Sequence, residues 1–419
     1  MKNRVPAGWI VCPLAEVTDF QEGPGILAKD FHESGVPLLR LRNIETPKVR
    51  LDGCNFLDPE KVTKKWSHFA LRESDLLIST SASLGRVSVV GNATAGSIAY
   101  TGIIRFRTTS PNLLDHGYLR AFLSSAAFVE QAEQMATGSV IRHFGPSHIK
   151  QMAIALPSLG VQRQIASIAD LLDDRIALLR ETNITLESIA QALYNAWFVD
   201  FDPVRAKQDG RLPEGMDEAT AVLFPDDLHA SELGQIPNGW EIGRLDDLLI
   251  LQRGFDLPAG DRVPGAFPII AASGPSGTHS VPMARGPGVI TGRSGVLGRV
   301  FLELEDYWPL NTALWVKDFK ASTPCFAYEL LRRLDLASFN AGSAVPTLNR
   351  NHIHSLPYVI PNIECINAYE ERVIELHQRI SANKKQGQTL ELLRDALLPR
   401  LISGKLPLWN AHQMAPQAT

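Results

Sequence analysis

The stretch "GSVIRHFGPSHIKQMAIALP", residues 138–157, decides the fold of this chain because it occurs twice. Its second copy is "GSAVPTLNRNHIHSLPYVIP", residues 342–361, so the two copies lie 204 residues apart. Both copies begin with Gly-Ser and end in an apolar run and a proline, and His148 aligns with His352. An internal repeat of this length predicts two structural units of one design.

Two further pairs of motifs support this duplication. "VPAGW" at residue 5 returns as "IPNGW" at residue 236, and "SASLGRV" at residue 81 returns as "SGVLGRV" at residue 294. The motifs keep their order while the distance between the copies falls from 231 to 213 to 204 residues. The second copy has therefore lost residues between its motifs, and we expect two variants of one domain rather than identical copies.

The segments that follow the long motif are predicted to be two long helices. After Pro157 and Pro361, Ser158 and Asn362 are candidate helix caps. Seam positions then alternate at spacings of four and three in both copies, which predicts a narrow heptad seam on each helix. The predicted seam consists of Ile165, Ala169, Leu172, Ile176, Leu179, Asn183, Leu186, Ala190, Leu193 and Trp197 in the first helix and of Tyr369, Val373, Leu376, Ile380, Asn383, Gly387, Leu390, Arg394, Leu397 and Leu401 in the second.

The matched length of the two seams favours an antiparallel helix pair that holds two globular domains apart. Asn183 and Asn383 lie on the seam, where a polar residue fixes register or orientation at some cost in stability. The alternative is two separate amphipathic helices, each packed on its own domain. Pro399 falls within the second seam and predicts a kink or an end of that helix, and Gly404 is a candidate C-cap.

The region before each long motif is rich in short strands. Runs such as "VPLLRLRNI" and "GRVSVV" in the first half, and "FPIIAAS" and "TALWVKDF" in the second, alternate with Gly/Pro turns. The sequence therefore predicts an α+β fold, in which a pair of long antiparallel coiled-coil-like helices separates two strand-rich α/β domains in a pseudo-two-fold internal repeat. The predicted boundaries are 1–157 for the first domain, 158–200 for the first long helix, 201–235 for an acidic connector, 236–360 for the second domain, 361–405 for the second long helix and 406–419 for a C-terminal tail.

The composition of the 419 residues is that of a soluble globular protein, with 45% hydrophobic and 21% charged residues. No apolar run approaches the roughly 20 residues that span a bilayer, and the N-terminus has no secretory signal, so we expect a cytoplasmic protein without membrane contact. Four scattered cysteines predict reduced thiols and no zinc site. The net charge of −4 gives no overall nucleic-acid signature, but the connector alone holds eight acidic and three basic residues. A local basic groove elsewhere is therefore compatible with the charge.

The common catalytic motifs are missing from the sequence. It contains no P-loop, no HExxH, no GxSxG and no Rossmann fingerprint. The chain also has no Pro-Pro dipeptide, whereas a DNA amino-methyltransferase is expected to carry an Asn/Asp/Ser-Pro-Pro-aromatic tetrapeptide. The histidine shared by the copies, His148 and His352, has no nearby acidic or cysteine companion, which favours a turn or core residue over a metal ligand or general base. We expect no catalytic residue and no metal site.

The repeated Gly/Ser loops allow two interpretations. Glycine and serine let a backbone approach a phosphate closely and offer donors, and Arg86 and Arg299 add charge. Alternatively, each loop is only a tight turn whose glycine serves a positive φ and whose arginine is solvated. Two copies on a long spacer favour DNA, because its backbone repeats as a small ligand does not.

Taken together, the motifs resemble those of the specificity subunit of a type I restriction-modification system. The resemblance rests on "VPAGW" and "IPNGW", on the long repeated motif, and on the helix motifs "TLESIAQALYNAWFVDFDPV" and "TLELLRDALLPRLISGKL". It extends from about Val5 to Leu408, and the helix-end motifs are its most specific part.

The resemblance implies that each globular half is a target recognition domain that reads one half of a bipartite, asymmetric sequence in double-stranded DNA. The helix pair would set the spacer between the half-sites and dock two modification subunits. It also implies that S-adenosylmethionine and the adenine methyltransferase belong to those subunits, and ATP and Mg to the partner subunits that include the restriction subunits. This chain would then hold no cofactor and catalyse no reaction.

On this interpretation, DNA contacts are expected in the Gly/Ser loops and in the long motif, with side chains at base edges giving specificity and phosphate contacts fixing register. The candidate DNA-binding residues are Ser81, Ser83, Arg86, Arg142 and His143 in the first domain and Arg293, Ser294, Arg299, Asn349 and Arg350 in the second. Two other functions stay open: a stand-alone DNA-modifying enzyme with an unrecognised site, and a duplicated adaptor that binds proteins instead of DNA.

Overall fold

The chain folds into two compact units, and neither is a continuous piece of sequence. The computed structural model describes residues 5–44, 47–80, 86–135, 144–340 and 346–408. The first unit comprises residues 1–180 and 384–419, and the second comprises residues 181–383. Each unit therefore combines one strand-rich half with parts of both long helices.

Short helices lie within the strand-rich halves, and a 40-residue helix follows each half. The α-helices are α1 Leu14–Val17, α2 Pro59–Lys61, α3 His116–Leu123, α4 Ala126–Met135, α5 Pro146–Ile149, α6 Leu159–Phe198, α7 Asp202–Gln208, α8 Glu218–Ala221, α9 Leu245–Leu248, α10 Pro324–Arg333, α11 Arg350–His354 and α12 Ile363–Ile402. Within the described residues, no helix has both the length and the apolar character needed to cross a membrane.

The first half contains three small sheets. Its strands are β1 Ile10–Pro13, β2 Thr18–Glu22, β3 Val36–Leu39, β4 Asn55–Leu57, β5 Leu76–Ser79, β6 Val87–Val89, β7 Ile98–Ala99, β8 Ile103–Thr108 and β9 Ala153–Leu156. They are arranged in the orders β2-β8-β5-β6, β4-β3-β7 and β1-β9. Only the β3–β7 pair among these is parallel.

The second half repeats this arrangement strand for strand. Its strands are β12 Glu241–Arg244, β13 Ile250–Arg253, β14 Phe267–Ala271, β15 Gly274–His279, β16 Gly288–Gly292, β17 Val300–Glu303, β18 Trp308–Pro309, β19 Ala313–Asp318 and β20 Pro357–Ile360, after a separate hairpin of β10 Leu228–Ser231 and β11 Gly234–Pro237. The orders are β13-β19-β16-β17, β15-β14-β18 and β12-β20, and β14–β18 is again the parallel pair. The predicted α+β fold with an internal repeat is confirmed.

Single hydrogen bonds recur at equivalent places in the two halves. The Leu14 N–H donates to the Met152 carbonyl at 2.8 Å, and the Leu245 N–H donates to the Leu356 carbonyl at 2.9 Å. These bonds close each domain by joining its beginning to its last motif. The duplication read from the motifs therefore extends to the backbone.

The two halves differ most in the connection that leads into the central strand of the four-stranded sheet. In the first half, residues 40–75 connect β3 to β5 and include β4, α2 and a π turn, Val62–Trp66, in which both terminal residues are buried. In the second half, residues 272–287 connect β14 to β16, and β14 and β15 form a tight hairpin. The residues missing from the second copy are thus lost from a surface connection while the scaffold persists.

In the first unit, the four-stranded sheet, α3 and both long helices share one core. Tyr118 and Phe122 of α3 are buried together with Ile165 of α6 and Leu401 of α12. The Tyr118 hydroxyl donates to the Ala155 carbonyl at 2.7 Å, so its polar group is satisfied within this core.

An aromatic cluster forms the corresponding core of the second unit. The ring of Tyr194 in α6 lies 5.3 Å from the ring of Phe326 in α10 and 5.8 Å from that of Tyr369 in α12. The Tyr369 hydroxyl donates to the Ala190 carbonyl at 3.1 Å. Large aromatic side chains bury much apolar area, which makes this junction between domain and helices well packed.

The two long helices pair with each other in both units. In the second unit, Asn383 bonds to Asn183 and the Tyr369 hydroxyl to Ala190. In the first unit, Arg394 pairs with Asp173 at 2.8 Å and Arg180 pairs with Glu391 at 2.5 Å. Within each unit, higher residue numbers in α6 meet lower numbers in α12 or the reverse order of the chain, so the segments run antiparallel. All twenty predicted seam positions are buried or half-buried, and the alternative of two separate helices does not hold.

The ends of the second long helix correct one prediction. The Asn362 side chain accepts a hydrogen bond from the Cys365 N–H at 3.4 Å, as expected for an N-cap. Pro399 does not end the helix, because α12 continues to Ile402. A proline removes only its own N–H bond, and here it lies in the last helical turn. Gly404 has a φ of +68°, which fits the predicted C-cap.

The acidic connector is folded rather than extended. Lys207 of α7 donates to the Phe224 carbonyl at 2.6 Å and pairs with Asp226 at 2.5 Å. The Phe224 ring lies 5.1 Å from the ring of Trp197, near the end of α6. The connector thereby packs against the first long helix within the second unit.

Candidate nucleic-acid interface

Two of the repeated motifs meet in the second domain. The loop of residues 293–299 joins β16 to β17, and residues 346–350 lead into α11. The Leu348 N–H donates to the Arg293 carbonyl at 2.8 Å, and the Gly295 N–H donates to the Pro346 carbonyl at 2.9 Å. Motifs that are about 50 residues apart in sequence therefore form one surface, which we call the loop face.

The loop face carries three arginines without acidic partners. Arg299 is exposed and donates to the Ser273 carbonyl at 2.9 Å, while half-buried Arg293 donates to the Asn311 carbonyl at 3.3 Å. Arg350 is exposed and reaches the Leu251 carbonyl at 3.5 Å. None of the three forms an ion pair with a carboxylate of the described residues. Their positive charge is therefore uncompensated locally, which favours an anionic ligand.

The other predicted residues of this domain serve partly as scaffold. The Asn349 side chain accepts from the Asn351 N–H at 3.0 Å and caps α11. The Ser294 N–H donates to the Thr312 carbonyl at 3.0 Å, and Ser294 forms a β-bridge with Thr347. Both residues lie at the loop face, and their roles in DNA binding stay predictions.

In the first domain only part of the corresponding surface is described. Arg86 is exposed and directly precedes β6. Ser81, Ser83, Arg142 and His143 lie outside the described residues. The strand that enters the loop is fixed in the same way in both copies, because the N–H groups of Thr80 and Arg293 donate to the carbonyls of Gly102 and Thr312, each at 2.9 Å.

The turn interpretation of the Gly/Ser loop accounts for its glycines. Gly295 and Gly298 have φ values of +87° and +83°, which residues with a side chain rarely adopt. The same interpretation leaves Arg299 unexplained as a shared residue. Its guanidinium lies 5.3 Å from the centre of the Phe301 ring, a cation–π contact that holds the side chain over the sheet while leaving it exposed.

The histidines near the long motif have structural roles in the geometry. His148 Nδ1 accepts from the Gly145 N–H at 3.1 Å, and the His148 ring stacks on Phe144. His354 Nε2 accepts from the Leu251 N–H at 2.9 Å, and burial lowers the pKa of His354, which favours this neutral acceptor. Among the described residues, no group of three His, Cys, Asp or Glu side chains is placed to hold a metal ion.

The comparison with known proteins agrees with this arrangement. Residues 6–188 match the sequence profile of a family described as the type I restriction modification DNA specificity domain. The matched region covers the first strand-rich half and most of α6.

This chain belongs to the type I specificity-subunit family.

Relatives match over most of the chain length. The MjaIX specificity subunit of Methanocaldococcus jannaschii is 23% identical, with 96% of this chain and 95% of the relative covered. The HindI specificity subunit of Haemophilus influenzae is 26% identical, with 62% and 70% covered. The crystal structure of a type I S subunit from M. genitalium superposes with a TM-score of 0.54 and 15% identity over 98% of both chains, which supports the fold.

The long helices of this specificity-family chain carry a second repeated feature. Thr185, Ile189 and Ala192 form an exposed i, i+4, i+7 stripe on α6, and the equivalent residues of α12 are Thr389, Leu393 and Ala396, also exposed. Ile189 is 47% and Leu393 45% exposed. The stripes lie in different units, at positions 204 residues apart. We call them the α6 stripe and the α12 stripe.

A fourth repeated motif was missed in the sequence. A Cβ on Gly23 would lie 2.0 Å from the Ala99 carbonyl oxygen, and one on Gly254 would lie 2.2 Å from that of Leu310. Both glycines follow β2 or β13, and a side chain at either position would force the neighbouring backbone apart. The signal was available as Gln-Glu-Gly and Gln-Arg-Gly, 231 residues apart.

Proposed function

We propose that this chain is the DNA sequence-recognition subunit of a type I restriction-modification complex. Each globular domain reads one half of a bipartite, asymmetric target. The observation that carries the proposal is the loop face, where two repeated motifs meet and present three arginines without acidic partners. Uncompensated arginines on a rigid scaffold suit a phosphate backbone and base edges.

The repeat itself suggests how labour is divided within each domain. Residues shared by two domains that read different sequences serve what the half-sites have in common, namely the phosphate backbone. Arg86 and Arg299 fit this role, since both follow the shared Leu-Gly and both are exposed. Base readout then falls to positions that differ between the copies, such as Thr80 and Arg293.

The helix pair sets the distance between the half-sites and docks two modification subunits. The α6 stripe and the α12 stripe support the docking part, because equivalent exposed apolar surfaces on the two helices suit two copies of one partner. An insertion of about four residues near Asn183, one helical turn, is expected to lengthen the tolerated spacer. An unchanged spacer would contradict the role of the helices as a ruler.

Catalysis lies outside this chain in the proposal. The modification subunits bind S-adenosylmethionine and methylate the target base, and ATP and Mg act in the partner subunits of the full complex. Incubating the purified chain alone with labelled S-adenosylmethionine and DNA is expected to give no incorporation. Incorporation by the lone chain would instead support a stand-alone modifying enzyme.

The decisive experiment maps methylation by the chain together with its modification subunits. We expect one bipartite motif, and we expect that exchanging residues 1–157 for another such domain changes only one of its halves. A change of both halves would contradict two independent reading domains. Absence of salt-dependent DNA binding by the complex would favour a protein adaptor.

A further inference from the structure

The loop between β16 and β17 presents one aliphatic side chain between two arginines. Val296 is 39% exposed, while its neighbour Leu297 packs against the core of the domain. Arg293 and Arg299 lie three residues away on either side, and neither pairs with a described carboxylate. The loop therefore offers a small apolar contact within a cationic surface.

The backbone of this loop is fixed on both sides of Val296. A Cβ on Gly292 would lie 1.8 Å from the Val296 carbonyl oxygen, so the chain folds directly back against the end of β16. Gly295 and Gly298, with positive φ values, make this path possible. The Gly295 N–H also donates to the Pro346 carbonyl at 2.9 Å. Val296 is thus presented by a preorganised turn.

Val296 is also a position at which the two copies differ in chemistry. The alignment of "SASLGRV" with "SGVLGRV" places Val296 opposite Ser83, while Leu-Gly-Arg-Val is shared. If the shared arginine serves the backbone common to all DNA, an exposed neighbouring position that changes from polar to apolar is suited to distinguish bases.

We propose that Val296 is a specificity-determining residue that contacts the 5-methyl group of a thymine in the half-site read by the second domain. In the major groove the methyl group is the apolar feature that marks thymine, and aliphatic side chains recognise it by contact. Arg293 and Arg299 hold the loop at the DNA through the neighbouring polar groups. This inference rests on the proposed function and adds a base to it.

Replacing thymine by deoxyuridine tests the contact, because this change removes only the methyl group. The complex with its modification subunits is used, and each thymine of the second-domain half-site is replaced in turn. At one thymine the wild-type complex is expected to lose affinity by about fourfold, the effect of one buried methyl group. The V296S complex is expected to bind thymine DNA about as weakly and to make no distinction there between thymine and uracil.

Matched controls are Val263→Ser and Val281→Ser, since both valines belong to the same domain and are 56% and 55% exposed. These variants are expected to keep the wild-type response to uracil. The inference is overturned if the half-site holds no thymine, if no uracil replacement weakens wild-type binding, or if V296S keeps the wild-type response. A complex without sequence-specific DNA binding would overturn the proposed function itself, so the two failures are distinguishable.

Discussion

The Asn383 side-chain amide donates a 2.9 Å hydrogen bond to the Asn183 side-chain oxygen within the seam between α6 and α12. Asn183 in turn donates to the Ile380 carbonyl at 3.4 Å, and both asparagines are buried. Buried polar groups are tolerated where they satisfy each other. The pair therefore favours the register in which the two amides meet, since any other alignment buries them without partners.

The first prediction concerns this pair. N183L or N383L alone leaves one buried amide without its partner and is expected to destabilise the chain by about 1–3 kcal/mol. The double variant N183L/N383L is expected to lose less than the sum, because it restores an apolar seam. Denaturant unfolding measures all three, with Gln388→Leu, an exposed position of α12, as control. Additive effects would show that the hydrogen bond is not what couples the two sites.

The second prediction separates phosphate contacts from base contacts. R299Q is expected to weaken DNA binding by the complex for all sequences alike and to lower the slope of log K against log salt by about 0.9, as for one phosphate. R86Q is expected to act in the same way in the first domain. Binding is measured at several salt concentrations, and R244Q is the control because Arg244 is ion-paired with Asp246. A changed methylation motif in R299Q would assign that arginine to base readout instead.

The third prediction concerns the helix stripes. I189E places a charge on the α6 stripe and L393E on the α12 stripe, and each is expected to prevent the binding of one modification subunit. The double variant is expected to bind none. Native mass spectrometry of the reconstituted complex counts the subunits, with Gln191→Glu at an exposed position as control. Two bound subunits in the double variant would place the docking surface elsewhere.

Periodicity explains why the helix pair could be predicted from sequence. Seam positions such as Ile165 and Tyr369 repeat at heptad spacing, so the buried face is written locally in each helix. The loop face could not be predicted in the same way. The contact between Arg293 and Leu348 depends on how the intervening strands and α10 return the chain, which no local pattern encodes. The role of Gly254 likewise depends on the distant Leu310 carbonyl, although its repetition in sequence was visible.

The last prediction concerns a buried carboxylate in the core of the second domain. Glu329 of α10 is fully buried; its Oε1 accepts from Arg332 at 3.1 Å, and its Oε2 has no hydrogen-bond partner among the described residues. Burial raises the pKa of Glu329, more than the attraction of Arg332 lowers it. The folded state therefore holds its proton at a higher pH than the unfolded state, whose glutamate pKa is about 4.3.

It follows that the stability contribution of protonated Glu329 is present at low pH and is lost as the pH rises through the folded pKa. E329Q removes this titration while keeping the shape of the side chain. The melting temperature of E329Q relative to wild type is expected to rise between pH 5 and pH 8, as measured by thermal unfolding. E232Q, at an exposed glutamate of the same unit, is expected to show a constant difference. If E329Q behaves like E232Q, the buried carboxylate is charged throughout this range, and Arg332 rather than burial sets its pKa.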